Sequence, residues 1–327
     1  MLRSLLVKSS VAALLLGIVL GPNVQAQDYP ARPVTIVVAF PAGGLADLVA
    51  RLLGQRLTER LGKPFIIENR PGAGTVLGAN SVAKATPDGY TLLLGGSAPF
   101  AMAASLQKKL PYDPVRDFEP LALVAEAPFV LVANPGLAVR LVPDLIRLAK
   151  ERPGQLSYAS AGSGSPHHLY AELFKSMAGI DMVHVPYKGA VQSLTDVAAG
   201  HVPLMFSDFA TALPLIKDNK VSALGVTSTT RVGAATEIPT ISEAGVPGYD
   251  AVAWLMAVAP ARTPSSIVES LHAELKRIVA TAEFQRKMVD AGLIATDSPR
   301  PDQLKGFIAS EIGRWSKVVG QSGIVVE

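Results

Sequence analysis

The sequence predicts an α/β fold with mainly parallel sheet. Short apolar runs rich in β-branched residues alternate along the chain with stretches of helical periodicity, and several of the turns between them are rich in glycine or serine. Repeated strand–helix units of this kind need crossover connections, which place neighbouring strands parallel. The alternation also runs through two series of similar order. A chain of 327 residues exceeds the size at which one core is efficient, so two similar domains are expected.

In the first series Val34 to Phe40 reads as a buried strand, followed by the turn Pro41-Ala42-Gly43-Gly44. Leu45, Leu48, Val49, Leu52, Leu53 and Leu57 then recur at helical spacing until Gly62. Phe65 to Glu68 supplies the next strand, Arg70 to Gly74 a loop, and Tyr90 to Leu94 a third strand between Gly89 and Gly95. The second series opens on a strand at Phe129 to Val132. A helix over Pro143 to Lys150 leads to a strand at Leu156 to Ser160, a Gly/Ser loop, and a helix starting at Ser165-Pro166. Strands follow at Met182 to Val185, Pro203 to Phe206 and Ala223 to Val226. Trp254 to Val258, a helix opened by Thr263-Pro264 and a final amphipathic helix carrying Trp315 complete the chain. No short repeat period is visible, which argues against a solenoid.

Composition narrows the function. Hydrophobic residues make up 49% of the chain and charged residues 17%, with a mean hydropathy of +0.32, which describes a well-cored protein. Lys and Arg number 30 against 27 Asp and Glu, and Arg3 and Lys8 precede every acidic residue. Without those two the balance is nearly neutral, so the chain carries no electrostatic footprint for nucleic acid. Arg3 and Lys8, the apolar run Val11 to Leu20 and the site at Val24-Gln25-Ala26 read as a cleaved signal peptide over residues 1–26. The run is stopped by Gly21-Pro22-Asn23 and is too short for a stable membrane anchor. There is no cysteine, hence no disulfide framework, no thiol chemistry and no acylation site for a lipoprotein. An exported protein of this kind suits the periplasm.

Two loops stand out chemically. Phe40-Pro41-Ala42-Gly43-Gly44-Leu45-Ala46-Asp47 lies at the end of a strand and the start of a helix, where open α/β sheets bind ligands. First-turn amides point outward there, and glycines allow close approach. The motif has neither GxGxxG nor a P-loop ending, and its glycines could equally serve a tight turn. Asp47 reads either as a helix-dipole residue or as a pocket acceptor. Ser160-Ala161-Gly162-Ser163-Gly164-Ser165-Pro166-His167-His168 repeats the arrangement, with Ser165 placed to cap the helix and Pro166 at its first position. His167 and His168 read as packing or surface residues. A metal pair of His168 with Glu172 lacks convergent ligands, since His184 and His201 belong to other elements. An exported serine hydrolase using Ser163 or Ser165, His168 and Asp208 is the alternative, but the Gly-x-Ser-x-Gly elbow is missing. Pro166 also removes the amide an oxyanion hole would need. No cofactor motif is present.

Taken in order, Tyr29-Pro30-x-Arg32-Pro33, Phe40-Pro41-Ala42-Gly43-Gly44-x-x-Asp47-x-x-Ala50-Arg51, Glu68-Asn69-Arg70-Pro71-Gly72-Ala73-Gly74, Pro87-Asp88-Gly89-Tyr90-Thr91-Leu92, Leu110-Pro111-Tyr112-Asp113-Pro114, His184-Val185-Pro186-Tyr187-Lys188-Gly189 and Glu243-Ala244-Gly245-Val246-Pro247-Gly248-Tyr249 resemble the Bug-type solute-binding receptors of tripartite tricarboxylate transporters. The resemblance implies a two-lobed periplasmic-binding-protein architecture of type II, or Venus flytrap. Lobe 1 would span 27–126 plus 253–327 and lobe 2 127–252, with crossovers near 124–130 and 228–254. It implies a receptor, not an enzyme, that closes over a small carboxylate and hands it to a membrane permease. Loop amides and bound water would hold the ligand, without an arginine clamp. The implied ligand-binding set is Phe40, Ala42, Gly43, Gly44 and Asp47 from the first loop, and Ser160, Gly162, Gly164, Ser165 and His168 from the second. Ser97, Tyr187, Gly189 and Asp208 at other strand ends complete it. Ala103-Ala104 and Ala235-Thr236-Glu237 depart from the family pattern, and the identity of the acid stays open.

Overall fold

Val34–Val38 forms β1 with four of its five residues buried, as expected of a run made wholly of β-branched residues. The chain turns through Pro41 to Gly44 into α1 (Leu45–Leu61) and returns as β2 (Phe65–Asn69). It then passes through α2 (Val76–Ala83) to β3 (Thr91–Gly96). Both β2 and β3 pair with β1 in parallel. A tight π turn at Ala98–Met102 runs directly into the short α3 (Ala103–Leu106). The computed structural model describes residues 29–322 and 324, and the chain from Arg32 onward forms one compact unit. The signal-peptide reading over 1–26 lies outside the described residues. No helix among the described residues is long and apolar enough to cross a membrane.

The largest difference from the sequence reading is β4. A strand was expected at Phe129 to Val132, whereas β4 runs from Phe118 to Ala133. Its composition, apolar on both faces, fits a strand covered on both sides, and Pro120 is accommodated at a register shift against its neighbour. After α4 (Val142–Glu151) come β5 (Ser157–Ser160), α5 (Pro166–Ala178), β6 (Val183–Pro186), α6 (Ala190–Ala199), β7 (Leu204–Asp208), α7 (Phe209–Lys217) and β8 (Ser222–Val226). Here β5 pairs in parallel with both β6 and β7. β9 (Val252–Pro260) returns antiparallel between β3 and β4. α8 (Ser265–Val279), α9 (Ala282–Asp290), β10 (Ile294–Ala295) and α10 (Pro301–Ser322) close the chain. The strand path is β2-β1-β3-β9-β4-β7-β5-β6, with β8 and β10 also on β4. The fold is α/β, and its βα runs are parallel on both sides of the central antiparallel strands β9 and β4.

Along β4 the partners change at one point. Phe118 through Pro128 pairs with β9 across two register shifts, ending on Pro128 opposite Val252. Phe129 through Ala133 pairs with β7, beginning with Phe129 opposite Asp208. Proline has no N–H to donate, so the change of partner falls where the ladder is already weakened. The amide of Phe129 donates to Thr227 Oγ1 at 2.8 Å, and its carbonyl accepts from the Thr227 amide at 2.9 Å. Thr227 is fully buried and the amide of Ala251 donates to its carbonyl at 2.9 Å, so one threonine ties β4 to the segment that leads into β9.

The core around the first strand group is aromatic. Phe100 lies parallel to Trp254 at 6.1 Å and edge-on to Phe118 at 5.2 Å. α10 buries Leu304, Ile308, Glu311, Trp315 and Val318 along one stripe at spacings of three and four. Glu311 is tolerated there because its carboxylate accepts from both Trp254 and Trp315 indoles, at 3.0 and 3.2 Å, and faces Arg314 at 3.2 Å.

Thr227→Val keeps the shape of the side chain but leaves the buried Phe129 amide without its side-chain acceptor. Denaturant unfolding should show a loss of about 1–3 kcal/mol, and an unchanged midpoint would show that this junction does not depend on the threonine.

Candidate ligand-binding cleft

The ends of β1, β3 and β7 open onto one cleft of about 730 Å3. Its walls are the loop Phe40 to Ala46, Ser97 and Ala98 after β3, Pro166 and His167 at the start of α5, and Asp208, Ala210 and Thr211 at the start of α7. Ala127 and Phe129 of β4 and Ala253 to Leu255 of β9 form its floor. Three helices therefore bring their N-termini to the same cavity. None of the three has a side-chain cap: Gly44 before α1, Ser165 before α5 and Asp208 before α7 make no capping bond. First-turn amides without a side-chain cap can take a ligand, although in α5 Pro166 has no N–H and the His168 amide donates to the Ser165 carbonyl, and the helix dipoles favour a negative ligand. No Lys or Arg lines the cleft, and His167 and Asp208 are its two ionisable residues. A second hollow of about 510 Å3, beside α4 at Ile146 and Arg147, lies away from these strand ends.

Of the residues singled out in the sequence, Phe40, Ala42, Gly43, Gly44, Ser97 and Asp208 line the cleft. Asp47 does not; it builds the loop. Its Oδ2 accepts from the Gly43 amide at 3.0 Å and from Arg51 Nε at 2.9 Å. Burial pushes the Asp47 carboxyl upward, but hydrogen bonds from Arg51, Gly43 and Asn69 outweigh that and hold it below the usual carboxylate range. Asn69 also donates to the carbonyl of Phe40 at 3.2 Å. Gly43 sits at φ +82°, a backbone conformation that favours glycine.

The second loop is built the same way from behind. Ser160 Oγ lies 2.6 Å from His184 Nε2 and accepts from the Gly162 amide at 3.1 Å. Ser165 Oγ donates to the Gly162 carbonyl at 2.7 Å instead of capping α5. His168 Nδ1 accepts from the Gly164 amide at 3.1 Å. Ser160, Gly162, Gly164, Ser165 and His168 thus shape the wall without lining the cavity. Tyr187 and Gly189 also lie outside it, with Tyr187 donating through its hydroxyl to Asp196 at 2.8 Å. The hydrolase arrangement does not assemble: Ser165 faces a carbonyl, the acceptor nitrogen of His168 is occupied, and Asp208 pairs with His167 at 3.0 Å.

His184, which spacing alone assigned to a separate element, stacks on His168 with ring centroids 3.7 Å apart. One nitrogen of each ring is engaged by Ser160 or Gly164, and no group of three metal-ligating side chains is found among the described residues. Burial pushes His168 down to about 4, helped by the charges of His184 and Lys175. Burial lowers His184 as well. Sequence reasoning left His167, Phe129 and Trp254 out of the binding set, reading His167 as a packing or surface residue. The only available signal was adjacency, since one helical step turns His167 toward the cleft and His168 toward β6.

A family model for the tripartite tricarboxylate transporter family receptor matches residues 49–324. The chain belongs to that receptor family. Protein BugT of Bordetella pertussis is 37% identical over 304 residues, covering 92% of each chain. The R. palustris protein Rpa4515, solved with adipate, is 37% identical with a TM-score of 0.78, across 91% of this chain and 99% of that one. The periplasmic binding protein BugD is 32% identical with a TM-score of 0.74, across 91% and 99%. MatC from Rhodopseudomonas palustris, solved with bound malate, is 34% identical with a TM-score of 0.72, across 89% and 100%. The chain is a Bug-type solute-binding receptor with the periplasmic-binding-protein fold, and not an enzyme.

In this receptor the neutral His168–His184 stack predicts a pH response. A histidine whose folded pKa lies below its unfolded value makes the unfolded state the better proton binder. Its stabilisation is therefore complete above about pH 6.5 and is lost as pH falls toward 4. His168→Gln, which keeps an acceptor for Gly164, should flatten the decline over that window by on the order of 2 kcal/mol. Parallel curves for both proteins in denaturant titrations across the window would contradict this.

Proposed function

We propose that this receptor is exported to the periplasm, captures a small carboxylate between two lobes and delivers it to the membrane permease of a tripartite tricarboxylate transporter. The carrying observation is the convergence of three uncapped helix N-termini on a cleft whose lining holds no Lys or Arg. Backbone amides and helix dipoles can hold a carboxylate at low desolvation cost, because they are fixed before the ligand arrives. The lobes in this proposal are 27–126 plus 253–327 and 127–252, and a crossover near 124–130 fits the change of β4 partner in that stretch. The ligand-bound relatives support a carboxylate, since one holds adipate and another malate. Within the proposal Ala42 and Gly44 present amides to the anion, Gly43 provides the open turn between them, and Ser97 offers a hydroxyl from the end of β3.

A thermal-shift screen over small mono-, di- and tricarboxylates tests the proposal. A true ligand at a hundred times its Kd stabilises the folded form by about 2.7 kcal/mol, enough to raise the melting temperature by a few degrees. A panel without a single shift would overturn the carboxylate reading.

Gly43→Val probes the amide cradle. Nothing lies within 4 Å of a Cβ placed there, but φ +82° strains any branched residue, so the loop should shift while the core stays intact. Carboxylate affinity is expected to fall by about tenfold or more with little change in melting temperature. If the lobes close, small-angle scattering must show a smaller radius of gyration at saturating ligand; an identical curve would mean binding without closure.

A further inference from the structure

Asp208 occupies the residue before α7, where an aspartate ordinarily accepts from an amide of the first helical turn. It makes no such bond. Its Oδ2 is instead held at 3.0 Å by His167 Nε2 from the opposite helix start. His167 is 6% exposed and packed edge-on against Phe129 at 5.0 Å. Its Nδ1 is buried and has no hydrogen-bond partner among the described residues, so the imidazole makes a single polar contact, the one to Asp208. The Asp208 side chain keeps 30% of its surface exposed and lines the cleft. Its other oxygen, Oδ1, accepts from no described residue.

The cleft therefore has two unlike ends. At the start of α1 the aspartate of the first turn, Asp47, is withdrawn behind the loop by Gly43 and Arg51, which leaves the amides to meet an anion. At the start of α7 a carboxylate stands in the cleft itself, turned there by His167. A second ligand carboxylate at that end would face Asp208 with no Lys or Arg in the lining to separate the charges, an arrangement that a poorly solvated site penalises. A cationic donor would satisfy Oδ1 and neutralise it.

We propose that the Asp208–His167 pair selects a carboxylate whose far end carries an ammonium group, with Asp208 as the direct acceptor and His167 as the positioning residue. This rests on the carboxylate reading given above. His167 acts by keeping the Asp208 carboxylate turned into the cleft and away from the capping position of α7.

Calorimetric titration of the full receptor with two matched sets tests it: γ-aminobutyrate, γ-hydroxybutyrate and succinate, and aminocaproate, hydroxycaproate and adipate. In at least one set the amino acid should bind about tenfold or more tighter than both the dicarboxylate and the hydroxy acid. Asp208→Asn should abolish that preference while leaving the melting temperature unchanged. His167→Phe, which keeps an aromatic edge for Phe129, should reduce the same ratio, a readout that a purely packing role would not move. Tighter binding of the dicarboxylate or the hydroxy acid, or an amino preference that survives Asp208→Asn, overturns this inference and leaves the carboxylate reading standing. Failure of every compound in both sets to bind, together with a flat carboxylate screen, sinks both.

Discussion

Phe129 is the residue through which the two strand groups and the cleft are connected. Its backbone is the first position at which β4 leaves β9 and takes up β7, with Asp208 directly opposite. Thr227 holds both its amide and its carbonyl. Its ring meets those of His167 and Tyr170, both edge-on, at 5.0 and 4.8 Å. A shift of register at this point would move the end of β7, and with it Asp208 and the start of α7, relative to the loop after β1. The geometry of the cleft is thus fixed by backbone hydrogen bonding in the middle of a buried strand.

In the proposed cradle main-chain groups meet the anion, and the side chains named by the sequence motifs mostly hold that main chain in place. Asp47, Arg51 and Asn69 clamp the loop from Phe40 to Gly43. Ser160, Ser165, His168 and His184 do the same for the loop from Gly162 to Gly164. Charged residues placed behind the loops avoid a strong salt bridge to the ligand, whose desolvation would cost much of what it gained. Within the proposed capture-and-delivery cycle this design helps release, because many moderate hydrogen bonds can be undone together.

The sequence by itself determined the α/β class, the order of most of the strands and the family. Each follows from local properties: β-branched runs bury themselves as strands, glycine-rich turns lead into amphipathic helices, and the motif series is read in order. It also pointed to the first loop, since a glycine turn after a buried strand exposes amides whatever the partners are. Six residues expected at a site, from Phe40 to Asp208, do line the cleft. What the local pattern could not supply was direction. Asp47 and His168 were legible as polar residues at helix starts, but whether such a side chain faces the ligand or supports the loop depends on what lies behind it. Behind Asp47 lie Arg51 and Asn69, and beside His168 lies His184. Only the tertiary structure decided that β4 is one long strand shared by both groups, that His167 rather than its neighbour turns to Asp208, and that Phe129 and Trp254 floor the cleft. These features come from pairings between residues far apart in the chain, and spacing along the sequence carries no term for them.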